Sequence, residues 1–271
     1  MTEIERYTDQ NRRAWDEIAE VRHKGMERAE FFAKGGSILS DRVLDVAGDV
    51  HGLTLCHLQC ATGEDTLSWA NRGVDATGVD ISPKQIELAK LKAAAAGLTV
   101  RFIASDIYAL PSELFDEKFD LVFTGGGAIV WLPDLGGWAD IIAQLLKPNG
   151  RLILDEEHPI AGCMEVQNGQ VRIVDDYFGR KPGMYLGWSH FSGAENATEQ
   201  KFEFSWPLGD VVTALAQAGL RIELLEESPS QQSWRFGDKL DEVARIPGEY
   251  LLVARKDSST KHRIEAEHEC S

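Results

Sequence analysis

Apolar positions in this chain follow two rhythms. Between residues 53 and 159, short continuous apolar runs alternate with segments of helical spacing. Leu53, Leu55 and Leu58, with Cys56 and Cys60 among them, read as a strand buried on both faces. Similar runs recur at 74–79, 100–104, 119–123 and 151–155. Between them, a helix over 64–70 is stopped by Asn71-Arg72-Gly73. Another runs from Ser82 as N-cap and Pro83 as first helical residue to Gly97, and a third runs from about Leu135 to Leu146 before the turn Lys147-Pro148-Asn149-Gly150. Parallel strands need crossovers of this kind, so the pattern predicts an α/β fold with a doubly wound, mostly parallel sheet. A helix over 210–218 and strands at 221–225 and 250–255 bring the sheet to seven strands.

The flanks read differently. In residues 1–50, Asp9 is a candidate N-cap, Ala14, Trp15, Ile18 and Val21 recur at helical spacing, and Ile38 to Val46 suggest a further helix ending near Gly48. Residues 161–207 are rich in aromatics, with alternation at 170–174 and 201–206 that suggests short strands, and read as a small insertion. The sheet domain then comprises 51–160 and 208–256, and the charged, patternless 257–271 read as a disordered tail.

Composition narrows the function. The 271 residues carry a formal net charge of −16, which argues against nucleic acid or anionic lipid as a partner. No apolar run approaches a membrane span, and the polar start MTEIERYTDQNRR is unlike a signal peptide, so a cytoplasmic protein is expected. The cysteines at 56, 60, 163 and 270 lack metal-ligand spacing, and Cys56 and Cys60 fit a buried strand as small apolar residues.

The chemistry centres on 53–80. A strand, a turn of small residues (Ala61-Thr62-Gly63), a helix opened by Glu64 and Asp65, and a strand ending on Asp80 make a nucleoside-binding βαβ unit. The turn admits a ligand to the backbone, and Asp80 accepts from a ribose. Three glycines of the dinucleotide fingerprint are reduced here to Gly63. Thr124-Gly125-Gly126-Gly127, closing the fourth strand, allow a second close approach.

With Ser105-Asp106-Ile107 after the third strand and Leu146-Lys147-Pro148-Asn149-Gly150-Arg151-Leu152 before the fifth, the chain from Leu53 to Pro159 resembles the class I S-adenosylmethionine (SAM) dependent methyltransferases. The resemblance implies SAM as cofactor and an antiparallel hairpin as the last two strands. It also implies an N-terminal helical lid and a cap formed by the insertion. It places Asp106 on the adenine amino group with Ile107 and Tyr108 beside the ring, and Asp80 on the ribose, with Ile81 and Gln85 also among the cofactor-binding residues. Gln59, Cys60, Ala61, Gly63, Thr124 and Gly125 then surround the rest of the cofactor. The sequence departs from the family at His57, where an acid is usual, and at Gln59 and Ala61, where glycines are usual. Ordinary backbone angles are expected at those last two positions, with the Gln59 amide turned to the ligand or lid. A side chain at Gly63 is expected to fill the space of the methionine moiety.

The resemblance implies that Tyr7, Asn11, Trp15 and His23 line the lid, with Trp131 and Trp188 as further substrate residues; Trp15 could instead simply anchor its helix to the core. Methyl transfer needs alignment in a dry site, and a base only where the nucleophile arrives protonated. His158, beside Glu156 and Glu157 at the end of the fifth strand, and His190 are the candidates; each could instead be structural. The acceptor is expected to be a small molecule. Two other classes stay open: a SAM-binding protein without catalysis and a nicotinamide-dependent oxidoreductase.

Overall fold

A computed structural model describes residues 1–180, 182–188 and 191–258. Helix α1 (Glu3–Gly25) starts ahead of Asp9, because Thr2 and Glu5 form a reciprocal capping box. Asp9 lies inside the helix and pairs with Arg12 and Arg13. Helices α2 (Ala29–Ala33) and α3 (Asp41–Ala47) follow, α3 capped by Ser40 so that Ile38 and Leu39 precede it. Strand β1 (Thr54–Leu58), α4 (Glu64–Asn71), β2 (Asp75–Asp80), α5 (Pro83–Ala96) and β3 (Arg101–Ala104) form the first half of the sheet domain. The short α6 (Ser112–Glu117), β4 (Phe119–Gly125), α7 (Leu135–Leu145) and β5 (Leu146–Glu157) form the second. After a single turn, α8 (Pro159–Gly162), two hairpins stand apart from the sheet. They are β6 (Met164–Gln167) with β7 (Gln170–Ile173), and β8 (Gly183–Tyr185) with β9 (Lys201–Glu203). Helix α9 (Leu208–Gln217), β10 (Leu220–Pro229) and β11 (Pro247–Lys256) complete the fold.

The seven-stranded sheet has the order β10-β11-β5-β4-β1-β2-β3. Strands β1 to β5 pair in parallel, while β11 runs antiparallel to both β5 and β10. Alternate residues send their side chains to opposite faces. Leu58, Val122 and Leu154 meet Trp138, Ile142 and Leu215 on the face of α7 and α9. Leu55, Leu121 and Ile153 meet Val43 and Trp69 on the face of α3 and α4. Both faces are therefore covered, which is why the central strands read as continuous apolar runs. Cys56, Cys60 and Cys163 are buried free thiols. Among the described residues no helix is long and apolar enough to cross a membrane.

The chain winds from β1 outward to β3, then returns to place β4 on the other side of β1. A crevice opens at the carboxyl ends of the strands at such a reversal. Helix α1 and the β8–β9 hairpin lie over it, joined by paired hydrogen bonds. Asn11 Nδ2 donates to the Phe202 carbonyl at 2.9 Å, and the Phe202 N–H donates to Asn11 Oδ1 at 2.7 Å. Glu17 accepts from the backbone N–H groups of Thr198 and Glu199. At the other side of α1, Ser82 Oγ donates to Asp16 Oδ1 at 2.6 Å, tying α1 to the start of α5.

Candidate functional site

The crevice holds a cavity of about 1120 Å³. The turn after β1 forms its floor. Here Gln59 and Ala61 take φ of 60° and 47°, and Gly63 takes 84°. The expectation of ordinary backbone angles at Gln59 and Ala61 is thus wrong. The loop keeps its left-handed path and carries the strain of two side chains within it. Two tethers hold it. The Ala61 N–H donates to Asp80 Oδ2 at 2.8 Å, and Gln59 Nε2 donates to the Ala128 carbonyl at 2.8 Å. Gln59 Oε1 is buried without a partner among the described residues. A Cβ at Gly63 would meet the Phe102 ring at 2.8 Å and Ala89 at 3.1 Å, so this glycine is required by the packing beneath the loop, not by space for a ligand.

Asp80 ends β2, Asp106 lies two residues beyond the end of the adjacent β3, and both line one cavity. Asp80 also accepts the Ser82 N–H at 2.9 Å; burial pushes its carboxyl up, against the two amides that favour the anion. Asp106 Oδ1 caps the Tyr108 N–H at 3.0 Å, and the Tyr108 hydroxyl donates to the Asp134 carbonyl at 2.8 Å. Gln59, Cys60, Ala61, Ile81, Ile107, Tyr108 and Gly125 line the same space. Gly63, Gln85 and Thr124 do not. Gln85 and Thr124 are fully buried, and their side-chain polar atoms have no partner among the described residues.

His57 cannot stand in for an acid. Its Nδ1 lies 2.8 Å from Thr66 Oγ1 and its ring packs edge-on to Phe123. Burial lowers its pKa to about 3, so it is neutral at physiological pH. Helix α4 begins beside it with glycine as N-cap and no side-chain cap, leaving first-turn N–H groups at the cavity wall. Glu64 in that turn is buried against Lys92, accepts from Thr62 Oγ1 at 2.7 Å, and lies 3.3 Å from Arg22 of α1. Arg22, a lining residue, was invisible to motif reading. Its signal was periodic: it falls two helical turns after Trp15, on the same face of α1.

Across the cavity, Glu156 braces the glycine turn after β4. Its carboxylate accepts the backbone N–H groups of Gly127, Ala128, Ile129 and Glu157 at 2.7–3.0 Å. Burial, with Glu157 adjacent, pushes it up to about 7. A Cβ at Gly125 would meet the Asp155 carbonyl at 2.3 Å, so that glycine serves the contact of β4 with β5. The partners of His158 are not its sequence neighbours Glu156 and Glu157. His158 lines the cavity, but both ring nitrogens are engaged. Nδ1 accepts the Ile160 N–H at 3.2 Å as the cap of α8, and Nε2 lies 3.0 Å from Glu227. Burial lowers its pKa, which leaves Nε2 as the donor to that carboxylate. His190 lies outside the described residues.

Aromatic rings from α1, the turn after β4 and the 161–207 insertion wall this space. Trp15 meets Trp131 at 5.1 Å and Trp188 at 4.4 Å between centroids, and all three line the cavity with Asn11. Tyr7 does not reach it; it packs edge-on to Phe202 and Phe204. Lys201, buried and paired with Glu203 at 2.8 Å, sits 4.2 Å over the Trp188 ring, a contact that no motif announced.

These features fit a ligand with an adenosine and an amino-acid end. The carboxylates of Asp80 and Asp106, both on the cavity wall, can accept from hydroxyl and amino donors. The uncapped α4 turn and Arg22 can receive a carboxylate, and the orphan Gln59 Oε1 needs a donor.

Residues 56–150 match a family model described as a methyltransferase domain. The chain is 31% identical to a demethylmenaquinone methyltransferase of Thermus thermophilus, over 44% of this chain and 53% of that one. It is 26% identical to a ubiquinone biosynthesis O-methyltransferase of Photorhabdus laumondii, over 41% and 45%. It thus spans about half the length of these two curated relatives. The fold superposes on an S-adenosylmethionine dependent methyltransferase from Mesorhizobium loti with a TM-score of 0.60 and 23% identity, covering 79% of this chain and 95% of that one.

Proposed function

We infer, from the premise that this chain belongs to the class I S-adenosylmethionine-dependent methyltransferases, that it transfers the sulfonium methyl group to a small-molecule acceptor by direct displacement. One observation carries the reading: Asp80 at the end of β2 and Asp106 just beyond the end of the adjacent β3 share a single cavity with the α4 N-terminus and the tryptophan wall. SAM supplies an electrophilic methyl group. In this reading Asp80 takes the ribose hydroxyls, Asp106 the adenine amino group, and Ile81 and Ile107 pack against the nucleoside. Trp15, Trp131 and Trp188 exclude water and align an apolar or aromatic acceptor, which agrees with the quinone-pathway names of the two relatives.

No proton is routed through His158, because deprotonating an acceptor there would require it to abandon the α8 cap and Glu227. An acceptor that reacts as its anion, or as a free amine or thiolate, needs no base. The test is turnover of SAM with a panel of phenols, quinols, amines and thiols, following S-adenosylhomocysteine and the methylated product by mass spectrometry. Binding without turnover on any acceptor would favour a non-catalytic SAM sensor. Asp106→Asn should weaken SAM binding by about 1.5–3 kcal/mol in calorimetry, the range for a hydrogen bond to a charged group. An unchanged affinity in the folded variant would remove Asp106 from the site.

A further inference from the structure

The amino-acid end of the cofactor is a zwitterion, so its site needs a cation and an anion a few ångströms apart. The cation is present: Arg22 reaches the α4 turn from the lid. The anion has to be found among the acids around that turn. Glu64 is spent on Lys92, Arg22 and Thr62. Asp80 holds two backbone amides and faces the nucleoside. Glu156 holds four backbone amides of the opposite turn. Asp155 is held by Arg42, at 2.5 Å, and by Ser40. His57 lines the cavity but is neutral, with Nδ1 engaged by Thr66 Oγ1.

Of the acids at this turn among the described residues, Asp65 is left. It lies in the first turn of α4, half-buried on the cavity wall, and no protein hydrogen bond reaches its carboxylate among the described residues. With Glu64 held by Lys92, Arg22 and Thr62, Asp65 is the acid of this turn that lines the cavity without a hydrogen bond among the described residues, and Arg22 is the cation nearest it on the cavity wall. They form a complementary pair for an α-carboxylate and an α-ammonium.

We propose that Asp65 is the residue that binds the α-ammonium group of the cofactor's methionine moiety, in place of the carboxylate that His57 lacks. The inference rests on the cofactor reading above. The groups acting on Asp65 agree with it. Burial, with Glu64 on its own helix and Asp155 of β5, pushes its carboxyl up to about 7, opposed by Arg22 of α1. An uncompensated carboxylate in such a place is unfavourable until a cation arrives.

The experiment compares wild type with Asp65→Asn, and with Asp65→Ala as a second variant, by calorimetry against SAM, S-adenosylhomocysteine and 5′-methylthioadenosine. The last ligand keeps the nucleoside and the thioether but has no amino-acid end. SAM and S-adenosylhomocysteine should bind tenfold or more weakly to both variants, while 5′-methylthioadenosine binds all three proteins within twofold. Wild-type affinity for SAM should also fall as the pH drops below about 7, and that slope should be absent in Asp65→Asn. Equal SAM affinity in a variant with an unchanged apoprotein melting temperature would overturn the assignment, as would a parallel loss of all three ligands. A wild type that binds none of the three would instead overturn the cofactor reading on which the inference stands.

Discussion

His57 offers the sharpest test of the site's physical chemistry. It is 2% exposed, uncharged, and hydrogen-bonded to Thr66 at 2.8 Å. Its pKa falls from 6.5 to about 3 on folding, mainly through burial. A base whose folded pKa lies below its unfolded value binds fewer protons in the native state. The unfolded chain then gains protons as the pH falls through 6.5, and stability is lost progressively from there down to about 3. At pH 7 the unfolded imidazole is mostly neutral and the term is small; at pH 5 it is almost fully protonated. The difference amounts to about 2 kcal/mol between those two pH values. The figure is insensitive to the folded value, provided that value stays below about 4.

His57→Asn keeps a hydrogen-bonding group beside Thr66 and cannot be charged. Urea unfolding followed by tryptophan fluorescence at pH 7 and pH 5 measures both proteins. Whatever the absolute cost of the substitution, wild type should lose about 2 kcal/mol more than the variant over that interval. The raised carboxyls of Asp65 and Glu156 titrate with the opposite sign in the same range, but they are common to both proteins and cancel in the difference. Parallel losses in the two proteins would refute the argument that the imidazole is held neutral.

Two further outcomes follow from the loop and the helix beside it. Ala61→Gly removes a left-handed strain of roughly 1–2 kcal/mol and adds about 0.4–1 kcal/mol of unfolded-state entropy. The variant should therefore be as stable as wild type or up to about 1.6 kcal/mol more so, with SAM affinity within tenfold. A melting temperature several degrees lower would show that the loop is unstrained. Lys92→Met strands the buried Glu64 carboxylate with only Arg22 and Thr62, and should cost about 3 kcal/mol in denaturant unfolding. A loss below 1 kcal/mol would mean that Arg22 alone neutralises Glu64.

Much of the architecture was legible in the chain because it rests on local rules. Short apolar-rich runs at 53–60, 74–79 and 119–123, bounded by turn residues, suit strands covered on both faces, and Ser82-Pro83 gives a helix its N-cap and first residue. The carboxyl-end acids Asp80 and Asp106 were legible for the same reason, since their place follows from where each strand stops. The backbone of the loop was misread. Gln59 and Ala61 favour right-handed angles locally, and the Asp80 carboxylate and the Ala128 carbonyl hold them left-handed from distant parts of the chain. The role of Gly63 was misread likewise, because Phe102, the residue it makes room for, comes from β3.

What the sequence by itself determined was therefore the alternation of strands and helices, the parallel sheet, and the acids at its edge: periodicity and capping act over a few residues. What only the tertiary structure decided was which side chains are already spent. His158 became a helix cap with Glu227 as its partner, Glu156 became the brace of a turn, and Glu64 was claimed by Lys92 and by Arg22 of the lid. Asp65, one residue along, was left without a partner among the described residues. The charge state and availability of a side chain depend on partners far away in the chain, and those meet only once the sheet, α1 and the cap have closed around a single cavity.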